Sequence, residues 1–201
     1  MSAGATPSPR VLVAMPTRGT AYAPSVLRAA DLARHFGCEL LLEIGRPIEL
    51  VRTRVVSRFL ESGAEHLLTI DDDIVAPDGA VDRLLALGAA VATAPYPIAL
   101  DGRLVSSVKG VGEEQWIAVP PREVFAVSHT GLGFTLIHRD VFAKMRTPWF
   151  QFGAGSAGHV IGEDVWFSNG VTQAGLQILC DGSVRCSHFK EGLDLLKLAR
   201  W

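Results

Sequence analysis

The sequence predicts an α/β fold: a mainly parallel sheet with helices on both faces, supplemented by a small antiparallel hairpin. Short apolar runs at residues 11–15, 39–44, 67–70 and 89–94 alternate with segments whose apolar residues recur at helical spacing. The run at residues 67–70 is near-continuously hydrophobic, as strands covered on both faces are. After Pro95-Tyr96-Pro97 the alternation stops, and short segments flanked by polar residues and glycines take over.

Residues 11–15 make the first strand, ended by Pro16. Pro24 opens a helix, because its fixed φ suits a first turn and its missing N–H is no loss there; Val26, Leu27, Ala30 and Phe36 follow near helical spacing. Residues 39–44 are the second strand. A helix is expected over about residues 50–62, with Val51, Val55, Val56, Phe59 and Leu60 on one face and Arg54, Arg58 and Glu61 on the other. Gly63 stops it. The strand at 67–70 follows, and Asp78, after Pro77, is expected to cap the helix carrying Val81, Leu84 and Leu85. With the strand at 89–94, this alternation implies right-handed crossovers and a parallel sheet. Residues 104–108 and 115–119, joined across Gly110 and Gly112, read as a hairpin. A strand at 135–138 and a helix over about 140–145 precede residues 151–162, where Gly153, Gly155, Gly158 and Gly162 predict a mobile lid. A helix from Glu163 to about Ala174, stopped by Gly175, leads to a last strand at 176–180 and then to Ser187-His188-Phe189.

With 201 residues and 48% hydrophobic content, the chain is expected to form one domain over residues 10–201, behind a flexible Ser/Pro/Ala-rich tail at 1–9. A net charge of -2 and a pI near 6.3 announce no basic nucleic-acid groove. Cys38, Cys180 and Cys186 are odd in number and lack a C-x-x-C pair, which argues against a disulfide framework or a thiolate zinc site and fits a reducing cytosol. No stretch approaches the roughly 18 apolar residues of a spanning helix, and the first ten residues hold no apolar signal core. A soluble cytoplasmic protein is the expectation.

Asp71, Asp72 and Asp73 directly follow the strand at 67–70. Adjacent carboxylates repel unless a cation sits among them, and the carboxyl end of a strand is where open α/β sheets hold ligands. The competing reading is a solvated turn leading into the next helix. At the end of the first strand, Thr17 and Arg18 stand where turn chemistry or contact with a base or phosphate explains them equally. Gly131 and Gly133 permit close backbone approach to a ligand, or relieve a tight strand entry. The acidic pair Glu163 and Asp164 complements a helix dipole without needing a catalytic role, and His188 is by itself as well explained by structure as by ligation. Trp149, Phe150, Phe152 and Trp166 offer faces for sugar stacking or simply pack. His129 and His159 border this region. The glycine string at residues 153–158 does not follow the first strand, so a dinucleotide cofactor is rejected.

Taken in order, Ile70-Asp71-Asp72-Asp73-Ile74, Thr130-Gly131-Leu132-Gly133-Phe134, Gly162-Glu163-Asp164 and His188 resemble a small GT-A glycosyltransferase of the family 2 kind, including compact forms met in phage genomes, over nearly the whole chain. The resemblance implies the GT-A (nucleotide-diphospho-sugar transferase) fold, with residues 10–97 as donor half and 98–201 as acceptor half. It implies metal-dependent transfer of a sugar from a nucleotide-diphosphate sugar to a hydroxyl acceptor (glycan, protein or modified nucleobase), with inversion. In its DXD motif Asp73 would bind Mn2+ or Mg2+, Asp71 would orient the ribose or share the ion, Asp72 would help with the donor, and His188 would be the carboxyl-terminal metal ligand. Asp164 would be the general base, with Glu163 orienting it or the acceptor. Arg52 sits where related sequences place an arginine followed by asparagine, here Thr53. Ser168-Asn169-Gly170-Val171 replaces a segment that often contains arginine. Two alternatives stay open: a nucleotidyltransferase of similar fold, against which residues 15–22 offer only one glycine and one arginine, and a catalytically inactive sugar-nucleotide or glycan-binding module.

Overall fold

The structure is a computed structural model that describes residues 10–155, 160–199 and 201. The expected flexible tail at 1–9, and residues 156–159 of the expected lid with His159 among them, lie outside the described residues.

The first half alternates as expected: β1 (Val11–Thr17), α1 (Ala23–His35), β2 (Leu41–Ile44), α2 (Ile48–Ser62), β3 (His66–Ile70), a two-residue β4 (Ile74–Val75), α3 (Ala80–Ala86) and β5 (Val91–Thr93). Pro24 lies in the first turn of α1. Gly63 ends α2 in the left-handed region at φ 72°, which a residue with a Cβ enters only at a steric cost. Asp78 does not cap α3: Gly79 holds that position without a side-chain bond, and the Asp78 carboxylate pairs instead with Arg28 at 2.8 Å.

The second half runs β6 (Pro97–Leu100), β7 (Arg103–Ser106), β8 (Val108–Gly110), β9 (Val124–Thr130), β10 (Phe134–His138), α4 (Asp140–Lys144), β11 (Gly153–Ala154), β12 (Val160–Ile161), α5 (Glu163–Gln173), β13 (Ile178–Asp181), β14 (Ser187–Lys190), β15 (Leu193–Asp194) and α6 (Leu195–Ala199). The hairpin exists but sits elsewhere than expected. It is β6 with β7, turned at Asp101 and Gly102, both at positive φ (50° and 73°). That is the geometry for which Asp-Gly is the favoured pair. Residues 115–119 form no strand, and the partner of β8 is β9.

The main sheet has eight strands in the order β2-β1-β3-β10-β5-β13-β9-β8. The pairs β1 with β2, β1 with β3, and β13 with β5 are parallel. However, β10 runs antiparallel to both β3 and β5, and β9 is antiparallel to β13 and β8. The expectation of a mainly parallel sheet is therefore corrected to a mixed one. No helix connects β5 to β10, so no crossover brings the chain back to the same end, and β10 enters between its neighbours from the opposite side.

Alternation along the strands feeds two cores. Val11, Val13 and Met15 of β1 point to a cluster with Ala29, Leu32 and Ala33 of α1 and Val81 and Leu84 of α3. Ala14 points the other way, to a cluster with Val55, Val56 and Phe59 of α2, Phe142 of α4 and Phe167 and Val171 of α5. Helices thus cover both faces, and the carboxyl ends of β1 and β3 are left free at one rim. Among the described residues, no helix is long and apolar enough to cross a membrane.

Candidate active site

The Asp71 N–H still donates to the Gly133 carbonyl at 3.0 Å, so β3 is zipped to the sheet to its last residue before the chain turns into β4. The turn sends the three carboxylates in different directions. Asp71 Oδ1 meets the Arg52 guanidinium at 2.8 Å. Asp72 accepts a hydrogen bond from the Thr17 hydroxyl at the end of β1. Asp73 Oδ2 faces His188 Nε2 at 3.3 Å and accepts from the Lys190 ammonium. The environments push their acidities apart. Burial holds the Asp72 carboxyl above its usual range, with Asp73 and Asp71 adding to the effect against the Thr17 bond. Burial acts on Asp73 too, but contacts with the His188 ring and the Lys190 ammonium outweigh it and hold that carboxyl below the usual range.

Arg52 is the hub of the rim. It projects from α2, is buried, and also reaches Glu163 Oε1 at 3.3 Å. Asp71 and Glu163 together outweigh burial and keep the guanidinium charged. One side chain thereby ties the end of β3 to the first residue of α5. Removing one partner from a buried ion pair strands the others in low dielectric, so Arg52→Met should destabilise the fold by about 3–5 kcal/mol in urea unfolding. A loss below about 1 kcal/mol, the worth of an exposed pair, would show that the bridge is not formed.

β14 supplies the far wall, because its pairing with β4 sets His188 opposite Ile74. His188 Nδ1 lies 2.7 Å from the Pro97 carbonyl. A carbonyl only accepts, so Nδ1 carries the proton and Nε2 is the nitrogen aimed at Asp73. The Tyr96 ring stands edge-on to His188, with centroids 5.4 Å apart. It also explains the glycines: a Cβ on Gly133 would lie 2.8 Å from the Tyr96 ring, and one on Gly131 would run into the Tyr96 hydroxyl. Gly131 and Gly133 do not line the cavity. They make room for the tyrosine.

The cavity so formed brings together Thr17, Arg18, Arg52, all three aspartates, Glu163 and His188. Asp164 stands just outside the lining, beside Glu163 in the first turn of α5. Its Oδ1 accepts the Val165 N–H at 2.7 Å, and burial followed by the Glu163 charge raises its carboxyl above the usual range. Lys190 and Tyr96 also line the cavity and escaped the sequence reading. Lys190 had a signal, since it lies two residues from His188 on one strand and so shares its face. A roomier groove of about 580 Å3 near Trp166, Pro148 and Asn169 contains no carboxylate. Of the other aromatics, Phe150 is stacked on Phe167 in the core, Trp149 packs edge-on against Phe142, and Trp166 donates to the Pro148 carbonyl, while Phe152 is exposed. His129 bonds Asn169 at 3.1 Å, away from the aspartates.

Among the described residues, no three His, Cys, Asp or Glu side chains form a metal cluster by themselves. The expected ligand Asp71 is turned to Arg52, leaving Asp73 and His188 as the facing pair. One carboxylate oxygen and one imidazole nitrogen, with the second ring nitrogen held by a carbonyl, is a donor set that fits Mn2+ completed by ligand oxygens and water.

No protein-family model matches the chain, and no curated protein matches its sequence. Among solved structures it is similar to A197 from STIV, with 25% identity and a TM-score of 0.67 over 92% of this chain and 89% of that one. It is also similar to GalNAc-T7 in a structure with UDP, GalNAc and Mn2+, with 12% identity and a TM-score of 0.53 over 90% of this chain. There it spans 38% of the other protein. These likenesses are of fold: the chain shares the mixed-sheet α/β architecture of these two structures.

Proposed function

We propose that the chain is a GT-A glycosyltransferase that moves a sugar from a nucleotide-diphosphate sugar to a hydroxyl acceptor with inversion, residues 10–97 forming the donor half and 98–201 the acceptor half of one domain. The observation that carries this reading is the rim itself. The aspartate turn after β3 faces His188 and Lys190 on one side and is bridged through Arg52 to the acidic pair of α5 on the other. The likeness to a protein seen with UDP, GalNAc and Mn2+ supports it at the level of fold.

Asp73 and His188 would hold Mn2+ or Mg2+, whose chemistry is to neutralise the charge that grows on a departing diphosphate. Arg18 and Lys190 add fixed positive charge at the same mouth. Thr17 and Asp72 close the nucleoside side at the end of β1. Arg52 fixes Asp71 and Glu163 and is itself neutralised by them, so it positions rather than binds. Asp164 takes the proton of the attacking hydroxyl, with Glu163 held rigidly beside it. The acceptor hydroxyl belongs to a glycan, a protein or a modified nucleobase.

Thermal melts of the chain with UDP, GDP and dTDP sugars, each with and without Mn2+, test the reading. A ligand bound only by the native state raises the melting temperature. At least one sugar nucleotide is expected to do so in a Mn2+-dependent way. No response from any of them ends this reading.

A further inference from the structure

One buried group in the cavity wall has no part in the scheme so far, the phenol of Tyr96. Its side chain is 6% exposed and lines the cavity beside Asp71, Arg52 and His188. Gly133 N–H donates to its oxygen at 3.1 Å, and among the described residues nothing accepts the phenol proton in return. A buried hydroxyl that donates to nothing carries a desolvation cost that a ligand relieves. The ring has no freedom to turn away. It fills the space left by Gly131 and Gly133 on one side and abuts His188 on the other.

The surroundings decide what the proton meets. The Gly133 that donates to the phenol oxygen also accepts from the Asp71 N–H, so the hydroxyl sits beside the start of the aspartate turn. Asp71 and Glu163 neutralise Arg52, so a diphosphate is better held by the other cations of the lining, Arg18 and Lys190. A neutral hydroxyl suits the phenol, because one oxygen can accept from tyrosine while its own hydrogen goes to a carboxylate.

We propose that Tyr96 is a sugar-recognition residue, its hydroxyl donating to a hydroxyl of the transferred sugar beside Asp71. This rests on the sugar-nucleotide reading of the same cavity and adds a residue that reads the sugar separately from the diphosphate. Tyr96→Phe keeps the ring, and with it the packing against Gly133 and His188.

Calorimetric titration in Mn2+ compares the wild type and Tyr96→Phe on UDP, GDP and dTDP and on their hexose and N-acetylhexosamine esters. The bare diphosphates are expected to bind both proteins alike, while the best ester loses about tenfold in the variant, the worth of one neutral hydrogen bond. Equal loss on ester and bare diphosphate, or no loss on either, overturns the assignment and leaves the sugar-nucleotide reading standing. A wild type that binds none of these probes overturns both. A second measurement uses the unmutated site. Tyr22 and Tyr96 are the two tyrosines of the chain, so 3-fluorotyrosine labelling gives two fluorine resonances, assigned with Tyr22→Phe. The Tyr96 resonance should shift with the ester and stay in place with the bare diphosphate. The same shift with both overturns the proposal.

Discussion

Asp73→Ala should abolish Mn2+-dependent binding of a nucleoside diphosphate, weakening it by at least about 100-fold in calorimetric titration, since even groups one shell further from a metal are worth about 10–100-fold. The reason lies in how the turn divides its charges. Asp71 is committed to Arg52 and Asp72 to Thr17, so Asp73 is the one aspartate of the triplet aimed at His188. Asp72→Asn, which keeps an acceptor for Thr17, is the control and should leave the Mn2+ response in place. The variant also has a signature without metal. The Asp73 carboxyl is held below its usual range in the folded chain, so it contributes stability above the ordinary carboxylate range that disappears as pH falls through its lowered value. Acid unfolding of Asp73→Ala should therefore show a shallower loss of stability at low pH than the wild type. Unchanged Mn2+-dependent binding in Asp73→Ala would falsify the assignment of this carboxylate to the cation.

What the sequence disclosed about this rim is what depends on neighbours along the chain. An apolar run that breaks abruptly into Asp71, Asp72 and Asp73 marks a strand end by local chemistry alone, and Gly63 marks a helix end in the same way. The role of Arg52 was visible only as a position on a helix. Its partner Glu163 lies 111 residues away, and no local pattern encodes that meeting. Gly131 and Gly133 mark a close approach by local chemistry, but the group that approaches them, Tyr96, arrives from a strand end that the sequence places beside no particular neighbour. Strand direction was illegible for a related reason. Buried residues such as Leu136 and Ile137 in β10 pack identically whichever way the strand runs, so the antiparallel entry of β10 left no mark in its composition. β9 was missed because residues 124–130 mix apolar and polar side chains at no clear period, and the burial of that strand is settled by β13 and α5. The hairpin turn has a local signal of its own, since Asp101-Gly102 is the favoured pair for a two-residue turn.

Asp164→Asn should leave donor binding intact and lower the rate of sugar transfer by about 100- to 10,000-fold, the usual contribution of a positioned base. The residue stands at the start of α5 with one carboxylate oxygen bonded to the Val165 N–H, and asparagine can keep that bond through its carbonyl. Burial and Glu163 raise its pKa above the ordinary carboxylate range, so the base is ionised only above that raised value. Transfer should thus rise with pH along an acid limb displaced upward from the ordinary aspartate range, and Asp164→Asn should lose that limb along with the rate. Stability gives an independent check with the opposite sign. An acid whose folded value is raised costs the fold stability once it is ionised, and the cost is relieved as pH falls through the raised value. Neutral asparagine removes the cost altogether, so the variant should melt higher than the wild type at neutral pH, with the gain vanishing in acid. A site tuned for proton abstraction predicts this pairing of lost transfer with gained stability. A helix-start aspartate serving only the dipole predicts the reverse, lost stability and unchanged chemistry. Equal loss of donor affinity in Asp73→Ala and Asp164→Asn would show that the two carboxylates do not divide cation binding and proton transfer between them.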